Sequence, residues 1–258
     1  MTSGFRPGRT VKFMIPWSVP VGLVILWQLL AHFGWISSRI LPEPAGVIQS
    51  AIRLTESGDL LRYISDSTSR ALVGLVIGGS IGLVLGFFNG FFPVAEKLLD
   101  TTIQMLRNIP HLALIPVAIL WFGIGEESKL FLVALGVFFP LYLNTFHGIR
   151  SVDPGLIEMG KVYGLRGWTL FWKVILPGAM PSILVGLRYS LGIMWLTLIV
   201  AETISSDTGI GYMAMNAREF MQMDVVVLSI LLYALLGKLA DVLAKGLESW
   251  CLRWRVNR

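Results

Sequence analysis

Six stretches of predominantly apolar residues, roughly 14 to 34, 70 to 92, 110 to 123, 129 to 149, 181 to 201 and 225 to 244, constrain this chain more than any other feature. A hydrocarbon layer ~30 Å thick is crossed by about 20 residues of helix, so each stretch predicts a membrane-spanning helix. The third is short, and the amphipathic run from Ala95 to Arg107 is expected to extend the same helix beyond the bilayer. With 55% hydrophobic and only 14% charged residues, the chain cannot hide its apolar surface in a water-soluble core, which normally carries about a quarter charged residues. A lipid-facing barrel would instead show segments of about ten residues with alternating polarity. These runs are longer and continuously apolar, so the expected fold class is all-α, a polytopic membrane protein with about six transmembrane helices.

The basic residues set the orientation. A net charge of +5 raises the question of nucleic acid, yet the lysines and arginines are scattered among short loops and form no stripe interleaved with aromatics. They report topology instead. A cytoplasmic N-terminus places Arg6, Arg9, Lys12, Lys97, Arg107, Arg150, Lys161, Arg166, Lys173, Lys245, Arg253, Arg255 and Arg258 inside, thirteen against five outside: Arg39, Arg53, Arg62, Lys129 and Arg218. Both termini are therefore expected in the cytoplasm. The first apolar run is too long for the core of a typical signal peptide, and Ala31-His32-Phe33 lacks a small-x-small cleavage pattern, so it is expected to remain as a span. The single cysteine, Cys251, excludes an intrachain disulfide.

Several residues inside the spans stand out. Gly74, Gly78, Gly82, Gly86 and Gly90 recur every four residues and form a smooth ridge on the second span, where another backbone can approach closely. Ser80 lies in a G-x-S-x-G pattern, but that motif needs a strand, a strained turn and a helix, whereas Ser80 sits within an unbroken apolar run. His32, His111 and His147 have no metal-ligand spacing, and no metal is expected. His111, after Arg107-Asn108-Ile109-Pro110, either caps a helix start or faces a pathway. Arg188, in the fifth span, either snorkels, pairs with a carboxylate or lines a cavity that would suit an anion. Glu202 heads the outer loop and is expected to organise Thr203 to Gly211 rather than touch a solute.

Between the fourth and fifth spans lies a polar island of about thirty residues. Asp153-Pro154 reads as a helix start, Gly164 as its break, and Trp168 to Ile175 as a second amphipathic stretch ending at Pro177. Leu156, Ile157, Met159, Val162 and Tyr163, interleaved with Glu158 and Lys161, offer a mixed surface that can dock in a groove. A nucleotide-binding loop requires G-x-x-x-x-G-K-[ST]. The two Gly-Lys pairs are followed by Val162 and Leu239, so no nucleotide is expected to be hydrolysed by this chain.

Glu158-Met159-Gly160, Gly164 and Val174-Ile175-Leu176-Pro177 have the spacing of the EAA loop, and the chain from about Ser67 to Lys245 resembles the permeases of type I ABC importers. Two departures are Met159 and Gly160, which stand where the name-giving motif has alanines. The resemblance implies a permease core at 67–245 with a coupling loop at about 150–180, preceded by an N-terminal part at 1–66 and followed by a basic tail at 246–258. Glu158, Met159, Gly160, Gly164, Leu176 and Pro177 would form the coupling site, with His111, Arg188 and Glu202 as pathway candidates. It further implies a bacterial inner-membrane location, a second copy of the chain, a cytoplasmic ATPase dimer holding ATP and magnesium, and a periplasmic solute-binding protein. No cofactor is implied in the chain itself. Ile40-Leu41-Pro42-Glu43-Pro44, Leu99 to Pro116, and Ala201 to Ser205 with Gly209 to Phe220 resemble the bacterial aliphatic-sulfonate permeases, whose related branches carry taurine, nitrate or bicarbonate. An intramembrane hydrolase is the distant alternative and would need Ser80, His111 and His147 at one depth.

Overall fold

The computed structural model describes residues 9–37 and 40–254, with side chains from Ser18 onward. Arg6, Arg39, Arg255 and Arg258, counted above for topology, lie outside the described residues. The described elements are all helical. They are α1 (Arg9–His32), α2 (Pro44–Glu56), α3 (Asp59–Phe91), α4 (Pro93–Arg107), α5 (Ile115–Phe122), α6 (Glu126–Arg150), α7 (Pro154–Val162), α8 (Gly167–Leu170), α9 (Leu176–Ser205), α10 (Ile210–Glu219) and α11 (Met223–Cys251). Among the described residues, four helices are long and apolar enough to cross a bilayer: α3, α6, the run Gly167–Ser205 that contains α9, and α11. A fifth crossing requires α4 and the segment His111–Phe122 to act together, and Ser18–His32 is a shorter apolar helix.

The third expected span differs from its reading in the sequence. Ala95 to Arg107 does not continue the same helix, because α4 and His111–Phe122 are bent by 82°. Pro110 accounts for the break. It has no N–H to donate, and it drives Ile109 away from helical angles. The chain resumes as a 3₁₀ turn at His111–Leu114 before α5 begins with Pro116 in its first turn.

A second difference lies at Pro177. The sequence suggests a short stretch ending there, yet helix is continuous for 39 residues from Gly167 to Ser205. Pro177 cannot donate to the carbonyl four residues before it, and its ring would crowd that carbonyl. The helix widens instead into a π turn at Phe171–Ile175, where the Leu176 N–H bonds Phe171 O five residues back.

The chain forms two compact units. One comprises residues up to Leu61 together with Met213–Leu231. In it α1 meets α2, and Gln28 Nε2 donates to Glu43 Oε2 while the Ala45 N–H donates to Gln28 Oε1, both at 3.3 Å. The Ser50 hydroxyl donates to Asp224, and Arg53 lies 3.5 Å from the same carboxylate.

The other unit comprises Arg62–Tyr212 and the chain from Leu232 onward. Its centre is α6, whose Leu132, Val133, Val137, Leu141 and Tyr142 are buried. Lipid tails are as apolar as leucine, so helices in a membrane associate through close van der Waals contact at small residues. The glycines of α3 provide that contact along α6. A Cβ on Gly74 would come within 2.5 Å of Val133, on Gly82 within 2.7 Å of the Phe138 carbonyl, on Gly86 within 2.8 Å of the Tyr142 carbonyl and on Gly90 within 2.9 Å of Ile149. On Gly78 it would overlap the Ala134 carbonyl. On the other side of α6, Gly136, Gly148 and Gly186 bring α9 equally near, against Thr197, Ala179 and Pro140.

Candidate functional site

The polar island folds into α7 and the start of the long helix beyond it. The Asp153 carboxylate accepts the Gly155 N–H at 2.8 Å, capping α7, and Pro154 occupies the first turn where its missing N–H costs nothing. At the other end Gly164 adopts φ +81°. Its N–H donates to Lys161 O at 3.0 Å and the Leu165 N–H to Gly160 O at 2.9 Å, the bond pair that closes a helix with a left-handed glycine. Gly167, at φ +49°, turns the chain into α8. α7 then lies against the long helix through Gly160, which is buried. A Cβ there would come within 2.8 Å of Leu170 Cδ1 and 3.2 Å of Val174.

Other residues of this hairpin are left uncovered. Leu156 and Met159 are half exposed, Val162 is 85% exposed, Tyr163 79%, Trp168 72% and Trp172 52%, while Glu158 stands exposed beside them. Phe171 secures the aromatic group from below: its ring centroid is 5.1 Å from Trp168, 5.2 Å from Phe91 and 5.8 Å from Phe87. Exposed apolar surface of this kind is found where a protein meets another protein or the membrane. Leu176 and Pro177 lie past the π turn, within the helix.

A different chemistry surrounds Glu202, which is 1% exposed. Its carboxylate accepts from the Ser67 hydroxyl at 2.8 Å, Arg70 Nη1 at 2.8 Å, the Gly211 N–H at 2.9 Å and the Tyr233 hydroxyl at 2.9 Å. Arg70 engages all five of its N–H donors: Nε and Nη2 with Glu126 at 2.7 and 2.8 Å, Nη1 with Glu202 and Thr208 O, and Nη2 again with the Thr208 hydroxyl at 2.6 Å. Lys129 continues the chain of charges, 3.0 Å from Glu126 and 3.1 Å from the Ser206 hydroxyl. The loop from Ser206 to Gly211 is thus tied to α3, α6, α9 and α11. A Cβ on Gly209 would come within 2.5 Å of Glu202 Oε1 and 2.6 Å of Arg70 Nη1, so the loop can lie this close only with glycine.

Glu202 was singled out in the sequence, but Ser67, Arg70, Glu126 and Tyr233 were not. The available signal was one of topology: Arg70 and Glu202 both stand at the outer edge of their expected spans, where opposite charges can meet. His111 opens the 3₁₀ turn with its Nε2 3.0 Å from Thr197 Oγ1 on α9. Arg188 Nε donates to Asp241 Oδ1 at 2.7 Å, bridging α9 and α11 beside an open cavity of about 650 Å³. None of the described hydrogen bonds joins any two of His111, Arg188 and Glu202. Ser80 is exposed on α3. Among the described residues no three His, Cys, Asp or Glu side chains group to hold a metal ion.

Residues 78–252 match the family described as "binding-protein-dependent transport system inner membrane component". The chain is 62% identical over 239 residues to the putative aliphatic sulfonates transport permease protein SsuC of Escherichia coli (strain K12), covering 93% of this chain and 91% of that one. It is 43% identical to the Bacillus subtilis (strain 168) protein of the same name, over 97% and 91%, and 32% identical to the taurine transport system permease protein TauC of Escherichia coli (strain K12), over 90% and 86%. Among solved structures, a crystal structure of an amino acid ABC transporter with histidines superposes with a TM-score of 0.58 at 14% identity, covering 76% of this chain and 97% of that one. That likeness shows the fold alone.

Proposed function

On the premise that the chain belongs to the inner membrane components of binding-protein-dependent transport systems, and so is a multi-pass transport subunit rather than an enzyme, we propose that it conducts aliphatic sulfonates inward through the membrane. The observation that carries the solute is the 62% identity, spread over 93% of the chain, to a putative aliphatic sulfonates permease. Such systems imply a separate ATPase and a solute-binding protein. The exposed face of α7 and α8, with Glu158, Met159, Val162, Tyr163 and Trp168, is the surface offered to that ATPase, and ATP with its magnesium belongs there. Gly160 and Gly164 shape this face, whereas Leu176 and Pro177 carry its motion into α9. A second copy of the chain completes the pathway, and both termini lie in the cytoplasm. The Glu202 knot holds the outer loop, where the binding protein delivers its load. The α3 glycines keep α3 locked on α6 as the bundle moves.

The reading supposes alternating access: closing of the ATPase draws two α7 helices together and tilts the bundles to open outward. Reconstituted with its ATPase and binding protein in vesicles, the chain should support ATP-dependent uptake of radiolabelled ethanesulfonate, with taurine and nitrate competing poorly. Uptake of nitrate or taurine in preference to ethanesulfonate would overturn the solute assignment and favour one of the related branches.

A further inference from the structure

A charged side chain in an apolar helix is costly unless it pairs or meets water, and for that reason it marks a pathway more often than a scaffold. Arg188 stands well inside α9, yet its side chain is 45% exposed. Asp241 holds its Nε at 2.7 Å. The same carboxylate also takes Lys245 at 3.0 Å and Lys238 at 3.5 Å. Three cations therefore surround one carboxylate, and with Glu248, the other acid lining the cavity, the group keeps an excess of one positive charge.

The cavity beside it is open by construction. Gly192 and Gly237 line it, and a Cβ on either would meet nothing within 4 Å. Unlike the glycines of α3, these two bring no neighbouring helix closer within the chain. Val185, Ile193 and Leu196 form an apolar wall, and Tyr189 completes the side near Arg188. A volume of about 650 Å³ exceeds what a short alkyl chain with an oxyanion head requires.

Building on the function proposed above, we propose that this cavity is a station on the solute's route, in which Arg188 grips the oxyanion of an alkyl sulfonate while the tail lies on Val185, Ile193 and Leu196. Asp241 takes the guanidinium by its Nε and leaves the Nη donors for the solute, because a planar fork suits two oxygens at once. The same chemistry would accept the phosphate of an anionic lipid, so the test separates the two sources.

The test uses the whole complex in vesicles, with Cys251→Ser and a reporter at Gly237→Cys. Its probes are 2-sulfonatoethyl methanethiosulfonate, itself an alkyl sulfonate, and the trimethylammonium counterpart. The anionic reagent should react faster, and Arg188→Gln should lower the ratio of anionic to cationic rates about tenfold, as expected for loss of one nearby charge. Arg188→Lys should retain most of the ratio. Millimolar ethanesulfonate should protect the thiol with arginine at 188 but not with glutamine. No labelling, or a ratio indifferent to Arg188→Gln, would overturn the proposal. Protection that follows phosphatidylglycerol content instead of ethanesulfonate would assign the site to lipid and overturn it too. Full ethanesulfonate uptake by the neutral pair Arg188→Gln with Asp241→Asn would reduce Arg188 to a structural partner. If the unmodified complex fails to import ethanesulfonate while the rate ratio still depends on Arg188, the anion site stands and the solute reading fails.

Discussion

At the Glu202 end of the long helix the buried charges are answered from within the chain, whereas at the Trp168 end apolar surface is left over. Arg70 spends no N–H on solvent, and Glu202 is closed in by four donor groups. Val162, Tyr163 and Trp168 are mostly exposed in a hairpin whose turns nonetheless depend on two glycines of positive φ. The first region holds itself together and the second has a defined shape with nothing to cover it. Rigidity therefore resides where the buried charges find internal partners, while the hairpin keeps a defined backbone under side chains that the chain itself does not cover.

The largest expected effect breaks the closed region. Glu202→Ala leaves Arg70 buried without half its compensation and should destabilise the protein by about 3–5 kcal/mol, read as loss of thermal stability in detergent. The matching change at the exposed hairpin, Glu158→Ala, should stay within about 0.5 kcal/mol. Equal losses would erase the contrast between the two ends.

Next is Gly78→Ala, whose single added methyl must displace the backbone of α6 and should cost about 1–3 kcal/mol, measured as membrane yield and unfolding temperature. Gly237→Ala, facing open space, should be neutral or gain about 0.5–1 kcal/mol from helix propensity. A tolerated Gly78→Ala would mean that α3 and α6 are not in rigid contact there.

At the open region, Trp168→Ala should leave stability unchanged yet weaken ATPase binding by about 2 kcal/mol, the size expected for a large aromatic anchor. Titration of the purified permease with ATPase measures it, and unaltered affinity would place the partner elsewhere. Smallest is Gly164→Val, which forces a branched residue into left-handed angles at roughly 1–2 kcal/mol. It should loosen α7 and lower ATP-dependent uptake without affecting insertion, while Gly164→Asn, which tolerates those angles, should recover most of the loss. Valine and asparagine behaving alike would show that the turn geometry does not matter to coupling.

The all-helical membrane fold was legible because burial in lipid imposes it on every long apolar run. The period-four glycines were legible too, since a repeat of that kind can only be read on one face of a helix. Pro110 and Pro177 show the limit of such reading. Both lack an N–H, yet the chain breaks by 82° before His111 and stays helical through Pro177. Before Pro177 the backbone shifts to π-type bonding, the Leu176 N–H reaching Phe171 O five residues back, and composition does not carry that information. Partner choice was equally hidden. Glu202 lies 132 positions from Arg70, and Arg188 lies 53 from Asp241. Any of several opposite charges could have served, and only the packing of α3, α9 and α11 selects among them.

The π turn before Pro177 has an angular consequence. Each residue of an α-helix advances the chain by about 100° and 1.5 Å, so a turn closed over five residues in place of four resets the azimuth of everything preceding it. Phe171–Ile175 thereby fixes the compass bearing of Trp168 and Trp172 relative to Arg188 and Glu202, which ride on the same shaft. Deleting Lys173 from that turn would keep the aromatic contact groups in the sequence and swing Trp168 about a quarter of the way round the axis.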